Sequence, residues 1–472
     1  MRILLVAMPD TAEVLSCSTF MPNLGLVSLA GQLPDHEIRV LDLVTHRPKV
    51  RKPLLDQLQS FRPELVGLSA MTFQFDTLLR VARFVRNVDP AIRLVAGGYH
   101  ATLMARELAE DPGLPLDFLI RGEGEGTIVE LVEALQAGRE PSAVAGLSYR
   151  SPAGWRHNPD RPLLDLAQIR LPDRRARVCG GFHYYGLPMD VAETSRGCPF
   201  NCKFCSITHM YGHTFRPFSM ERIVADLTQI RANGAQAVFL VDDNITYDVE
   251  HFRRVCRTIV ENGLNDMQYA VQATAAGLAQ NPDLVAEMDR ANFRTVFAGF
   301  ESMNAADLKT MRKPTSPDIN RRAAALLRQH RMGLIAGIIV GFPEDTRESI
   351  RENMRLFRQL RPDSIYAQYL TPYPKTKLRE EMLAAGLVDN VDRFSEYDGF
   401  SCNVRTRALS RDELFRLLKA EALKFALQPR QLRDNYFLRR HARAVLGGAV
   451  KIMAMDLYNV LTGRRYGRTL DL

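Results

Sequence analysis

Cys198-Pro199-Phe200-Asn201-Cys202-Lys203-Phe204-Cys205 gathers three of the chain's seven cysteines into one short run. Three thiolates so spaced can hold three irons of a cubane cluster and leave the fourth iron without a protein ligand, whereas electron-transfer clusters take four cysteines. An open iron is a place where a small molecule binds and reacts. Zinc is the structural alternative, since His209 stands four residues past Cys205 and completes a possible tetrahedral Cys3His set. Spacing alone leaves both readings open. An odd, clustered cysteine count argues against a disulfide framework and for a reducing compartment, with Cys17, Cys179, Cys256 and Cys402 as free thiols.

Two alternating strand and helix patterns must position this loop. In residues 1–145, strands are predicted at 3–7, 38–43, 65–70, 93–96 and 118–120, with helices at 25–33, 54–61, 78–85, 103–108 and 127–135. Such alternation implies parallel strands with right-handed crossovers, an α/β doubly wound, Rossmann-like sheet. Its ligands should lie beyond the strands' carboxyl ends, where Ser69, Thr72, Gly97, Gly98, Gly122 and Glu123 stand. Residues 146–185 lose periodicity, gain Pro, Arg and Gly, and read as a linker. In residues 186–375, strands at 191–194, 237–241, 268–273, 295–300, 334–340 and 364–370 predict a partial (β/α)6 barrel with its chemistry at the strand ends. Residues 376–472 read as a helical C-terminal region with a basic tail.

At 472 residues, with 46% hydrophobic and 25% charged residues, the chain describes a multidomain globular protein. No uninterrupted apolar run of about 18 residues and no leader pattern is found, so a cytoplasmic protein is expected. Of the net charge of +8, most sits in 428–472, where nine Lys and Arg face three Asp. Leu446, Ala449, Val450, Met453, Leu457 and Val460 fall at helical spacing there. Two readings stand: a stripe buried against protein, or a peripheral membrane contact through 428–472.

The block from Thr194 to Ser206, with Arg196-Gly197 before the first cysteine and Phe204 before the third, resembles the signature of the radical S-adenosylmethionine enzymes. Asp242, Asp243 and Asn244 after the second barrel strand, Glu301 after the fourth and Gly341 after the fifth are similar to that family's cofactor-binding segments. Residues 1–140, through Val66-Gly67-Leu68-Ser69-Ala70, Ala96-Gly97-Gly98-Tyr99-His100 and the run from Asp117 to Glu125, resemble the cobalamin-binding domain of one large subgroup. The resemblance implies a 4Fe-4S cluster on Cys198, Cys202 and Cys205, S-adenosylmethionine and cobalamin as cofactors. The histidine motif that ligates cobalt in other cobalamin proteins is absent, and His100 reads as a loop residue that hydrogen-bonds.

What the resemblance implies for chemistry is a 5′-deoxyadenosyl radical acting on an unactivated carbon, with methyl transfer preferred over the cyclisation or oxidation that other members perform. It further implies a small-molecule or lipid substrate and an external electron donor of the flavodoxin or ferredoxin type, and no nucleic acid. A sensor reading lacks any output domain. A methylthiotransferase reading lacks the extra N-terminal cysteines. His209 and His213 read as pocket or surface residues, and Tyr366, Tyr369 and Tyr373 as packing at the last strand.

Overall fold

Aliphatic, β-branched runs ending at Gly, Pro or Asp supply the strands of the N-terminal unit. They are β1 (Arg2–Ala7), β2 (Glu37–Asp42), β3 (Leu65–Ser69), β4 (Arg93–Gly97), β5 (Phe118–Ile120), β6 (Leu147–Ser151) and β7 (Gly154–His157). The computed structural model describes residues 1–11, 19–462 and 470–472, and the chain forms two units, 1–182 with 450–472, and 183–449.

In the first unit the strand order is β2-β1-β3-β4-β5-β6-β7. The first five strands are parallel, with Leu4 opposite Arg39 on one side and Val66 on the other. Both faces are covered. Leu4 and Val6 enter a core with Leu54, Leu78 and Leu94, while Ile3 and Leu5 enter a second core with Val27, Val95 and Leu131. A strand buried on both faces reads as continuous rather than alternating hydrophobicity. The order reverses at β1 and β3, which places a ligand crevice at their carboxyl ends.

Three details depart from the sequence reading. Residues 147–157, taken as linker, form the antiparallel strands β6 and β7 at the sheet edge, because Tyr149 and Leu147 point into the core and Gly154 turns the hairpin at positive φ. The helix expected at 103–108 is two short helices, Tyr99–Leu103 and Ala105–Ala109, broken at Met104 with φ −116° and ψ 16°. The tail returns to this unit: Leu470 is buried in its core, and Asp471 Oδ1 accepts the Val50 and Arg51 amides at 2.8 and 3.0 Å.

The second unit carries β8 (His183–Tyr184), β9 (Leu187–Ala192), β10 (Ala237–Leu240), β11 (Gln268–Thr274), β12 (Phe293–Glu301), β13 (Gly333–Val340) and β14 (Ser364–Tyr369). Strands β9 to β14 are parallel neighbours in chain order, the sheet of a half-barrel. Capped helices return the chain between strands, with Ser219 accepting from Arg222 N and Thr346 from Ser349 N. The strand expected at 191–194 ends at Ala192, since the Thr194 amide turns from the ladder to the Asp242 carboxylate.

The C-terminal region is less helical than expected. Helices Lys377–Ala384 and Arg411–Ala426 flank an irregular stretch tied by a Val388–Val404 bridge. The helix Tyr436–Thr462 is kinked at His441. Of the stripe expected on it, Leu446 and Val450 are 58% and 64% exposed. The side chains of Ala449, Met453, Leu457 and Val460, and residues 463–469 with three of the arginines, lie outside the described residues, as does Cys17. No helix among the described residues is long and apolar enough to cross a membrane.

Candidate active site

A two-strand clip, Ser195–Arg196 against Arg216–Pro217, closes the cysteine loop at the carboxyl end of β9. Gly197 sits at φ +88°, and a Cβ there would lie 2.5 Å from the Thr214 carbonyl oxygen. Only glycine passes. Its amide donates to Asp243 Oδ2 at 2.8 Å. Arg196 forks onto Glu193 at 2.7 and 3.0 Å, and its guanidinium lies over the Phe218 ring.

Asp242 is 1% exposed. Its carboxylate accepts from the Thr194 amide, from Thr194 Oγ1 at 2.7 Å and from Ser195 Oγ at 2.6 Å. Burial pushes its pKa up to about 7, and that of Asp243 up to about 6, against the pull of these donors. Both side chains therefore hold the approach to Cys198. Asn244 reaches the loop itself, donating from Nδ2 to Cys198 Sγ at 3.4 Å, with its Oδ1 accepting from Thr246.

From the end of β12, Glu301 turns at φ +61° and accepts from Lys313 Nζ at 2.7 Å. Gly299 leaves room for this pair, because a Cβ there would meet Glu301 Oε1 at 2.7 Å. Burial works against the Lys313 ammonium, yet Glu301 and the neighbouring Cys202 and Cys205 raise its pKa above the usual lysine value. Its Nζ lies 5.9 Å from the Phe204 ring centroid, so one cation faces the carboxylate, the aromatic before Cys205 and the sulfurs. Burial pushes the Cys202 thiol up to about 11 and the Cys205 thiol up to about 12. The loop is tied at its far side by Lys203, whose amide donates to Met311 O and whose ammonium pairs with Glu381.

Cys198, Cys202 and Cys205 are free and partly buried. Three thiols on one pinned loop fit a cubane with one open corner. Among the described residues no three His, Cys, Asp or Glu side chains converge as ligands of a single ion do. His209 and His213 are exposed, and His213 Nδ1 lies 3.3 Å from Pro199 O. Gly341, at φ +99°, donates its amide to Asp345, and a Cβ there would meet Leu414 at 3.0 Å. Tyr369 donates to Phe415 O, whereas Tyr366 packs edge-on against Phe297 and Phe400.

In the first unit the sites read from sequence meet at the carboxyl edge. Gly98, at φ +92°, passes 2.6 Å from Ala70 O if given a Cβ, while Gly122 has open space in that direction. Thr102 Oγ1 ties the two loops, donating to Gly98 O and accepting from Gly122 N. Thr72 is buried, Ser69 ends β3 opposite Gly97, and Glu123 accepts from Leu164 N. His100 is buried, its ring 4.4 Å from that of Phe75. Sequence reasoning passed over Asp10 and Thr11, which follow β1 at the switch point; Asp10 Oδ2 and Thr11 Oγ1 are buried without a hydrogen bond among the described residues. Open glycine edges and orphaned polar atoms are what a bound polar ring system would fill. Lys313 was also missed, and no spacing rule marks a lysine twelve residues past its carboxylate.

Residues 13–132 match the B12 binding domain and residues 192–357 match the Radical SAM superfamily. The chain is a radical S-adenosylmethionine enzyme with a B12-binding domain. It is 28% identical over 443 residues to an uncharacterized methyltransferase of Pyrococcus horikoshii, covering 93% of this chain and 95% of the relative. It is 26% identical over 366 residues to the anaerobic magnesium-protoporphyrin IX monomethyl ester cyclase of Synechocystis, covering 75% and 71%. Hopanoid C-3 methylase of Methylococcus capsulatus is 28% identical over 361 residues, covering 75% and 67%. Among solved structures, the radical S-adenosylmethionine methyltransferase TsrM of Kitasatospora setae, with cobalamin and a 4Fe-4S cluster bound, superposes with TM-score 0.69 at 19% identity over 81% of this chain and 78% of that one. The cobalamin-dependent S-adenosylmethionine radical enzyme OxsB gives 0.71 at 14%, over 98% and 76%. At these identities the two structures speak for the fold of this radical enzyme.

Proposed function

We propose that the chain methylates an unactivated carbon of a small-molecule or lipid precursor, using a 4Fe-4S cluster on Cys198, Cys202 and Cys205, S-adenosylmethionine and cobalamin. The observation that carries the reading is the three-thiol loop pinned at the carboxyl end of the half-barrel, with no His, Cys, Asp or Glu among the described residues completing a single-ion set there. When bound, the cluster supplies the single electron that splits the sulfonium into a 5′-deoxyadenosyl radical, and cobalamin carries the methyl group. Asn244 orients the Cys198 sulfur, and Lys313 sets a positive charge beside Cys202 and Cys205. Asp242 and Asp243 fix the loop's approach. Tyr366, Phe297 and Phe400 give the barrel wall an apolar surface that keeps water from a radical. In this reading Ser69, Thr72, Gly97, Gly98, Gly122 and Glu123 form the cobalamin edge, Glu301 and Gly341 border the nucleoside, and a soluble flavodoxin or ferredoxin type protein delivers the electron.

Methyl transfer is favoured by the methyltransferase-named relative that spans nearly the whole chain. The cyclase likeness supports the second reading, a radical oxidative cyclase or ring-rearranging enzyme. A lipid substrate draws support from the exposed Leu446 and Val450. Anaerobic reconstitution should give about four iron per chain, retained cobalamin, and 5′-deoxyadenosine on reduction. Cys202→Ala should abolish nucleoside cleavage. With methyl-labelled S-adenosylmethionine, label in the product supports transfer, and product without label hands the site to the cyclase reading. Wild-type protein that binds zinc and never releases deoxyadenosine would end both.

A further inference from the structure

At the other end of the barrel strands from the cysteine loop, a cavity of about 550 Å³ opens beside the starts of β13 and β14. Six arginines line it: Arg328, Arg331, Arg361, Arg430, Arg439 and Arg440. Two carboxylates share that lining and offset part of this charge. Asp363 accepts the amides of Leu334 and Tyr436 at 2.9 and 2.8 Å, and Asp434 pairs with Arg439 at 2.8 Å and with Arg433. Among the described residues, Arg328, Arg331, Arg361, Arg430 and Arg440 have no acidic partner within ion-pair distance.

Part of that charge has a local use. Helices Pro317–Gln329 and Arg347–Leu360 both end here, and their dipoles contribute about one negative charge together. Arg328 also donates to Leu360 O at 3.0 Å. A clear positive excess remains. It is held at a cost: Arg331 and Arg361 sit at φ +54° and +61°, just past those helix ends, where glycine or asparagine is the unstrained choice. Burial, then the neighbouring Arg361 and Arg328, lowers the pKa of Arg430 against the pull of Asp434 and Asp363.

We propose that this cavity is a binding site for a phosphate-bearing anion of two or more charges. Guanidinium forks match phosphate oxygens in pairs, and several of them around one space suit a diphosphate better than a single carboxylate. The volume falls within the range of small-ligand sites, roughly 300–1,000 Å³. Such a group has two sources, a soluble organic diphosphate or a phospholipid headgroup. Leu423 and Leu427, both strongly exposed shortly before Arg430, keep the lipid source in play. The inference is independent of the chemistry at the cysteine loop.

Titration calorimetry of the full chain with inorganic pyrophosphate, and flotation with vesicles of phosphatidylcholine alone or with phosphatidic acid, would test it. The comparison is wild type, the pair Arg361→Gln with Arg430→Gln, and the control Arg355→Gln, whose guanidinium pairs with Glu352 on the outer face of its helix. Expected is one-to-one pyrophosphate binding, weakened by roughly tenfold or more in the pair and unchanged in the control. The pair should melt no lower than wild type, because repulsion has been relieved. Binding of phosphatidic acid vesicles, lost in the pair, without pyrophosphate heat assigns the lipid source. If neither probe binds, or the pair binds like wild type, the site does not exist. A lower melting temperature with unaltered binding makes the arginines structural and overturns the proposal equally.

Discussion

Gly197 governs the cysteine loop through an atom it lacks. Its φ of +88° and the Thr214 carbonyl 2.5 Å from where a Cβ would stand combine backbone strain with a clash against main chain that no rotamer relieves. Gly197→Ala is expected to cost about 1–3 kcal/mol, read as a lower urea midpoint. It should also lower the iron retained after reconstitution, because the loop that spaces the thiols must shift. Wild-type iron content and midpoint would refute the geometry. The Arg-Gly pair was legible before the cysteines, but the reason for it was not, since Thr214 is seventeen residues away and arrives only through the clip with Arg216–Pro217. The acidic triplet shows the same limit. Position marked Asp242, Asp243 and Asn244 as a unit, whereas the fold gives Asn244 a sulfur and the two aspartates the backbone and hydroxyls leading to it.

Among the elements, β12 carries the sharpest constraint. It ends in a left-handed Glu301 whose side chain and that of Lys313 are 12% and 13% exposed. Removing one member of such a pair strands a buried charge, so Lys313→Met should cost about 3–5 kcal/mol, and adding Glu301→Gln should recover most of it. Chemical unfolding of the two single variants and the double variant measures the coupling. Additive losses would mean the pair is not a pair. Strand positions were largely legible because the inner strands of both sheets are parallel and mostly buried, which writes each as a short aliphatic run. What failed were segments whose state depends on distant partners. The 147–157 hairpin looked like linker because Arg150, Arg156 and His157 dilute its apolar residues, and the helix at 103–108 breaks where Met104 leaves helical geometry.

For the whole molecule, two buried groups should answer acid in opposite senses. Burial lowers the pKa of His100 in the first unit to about 4. The unfolded chain therefore takes up its proton first, and the contribution of His100 is complete above about pH 6.5 and lost as pH falls toward 4. Asp242 in the second unit is raised to about 7. Its folded form takes up the proton first, so its contribution is present in acid and lost as pH rises through 7. From pH 7.5 to 5.5 each change amounts to roughly 1–2 kcal/mol. Scanning calorimetry of variants isolates each share: between pH 7.5 and 5.5, His100→Gln should lose less stability than wild type, and Asp242→Asn should gain less. Variants that keep the wild-type pH dependence would count against this assignment.

The tail that returns to the first unit has a kinetic corollary. Helix Arg51–Phe61 has no side-chain cap of its own at Val50, and its leading amides are met by Asp471, 421 residues later. A helix made early thus waits for this hydrogen-bond acceptor until residue 471 has been added, roughly 20–80 s later at ordinary elongation rates. Through that interval the first turn of Arg51–Phe61 lacks the carboxylate that caps it and is free to fray.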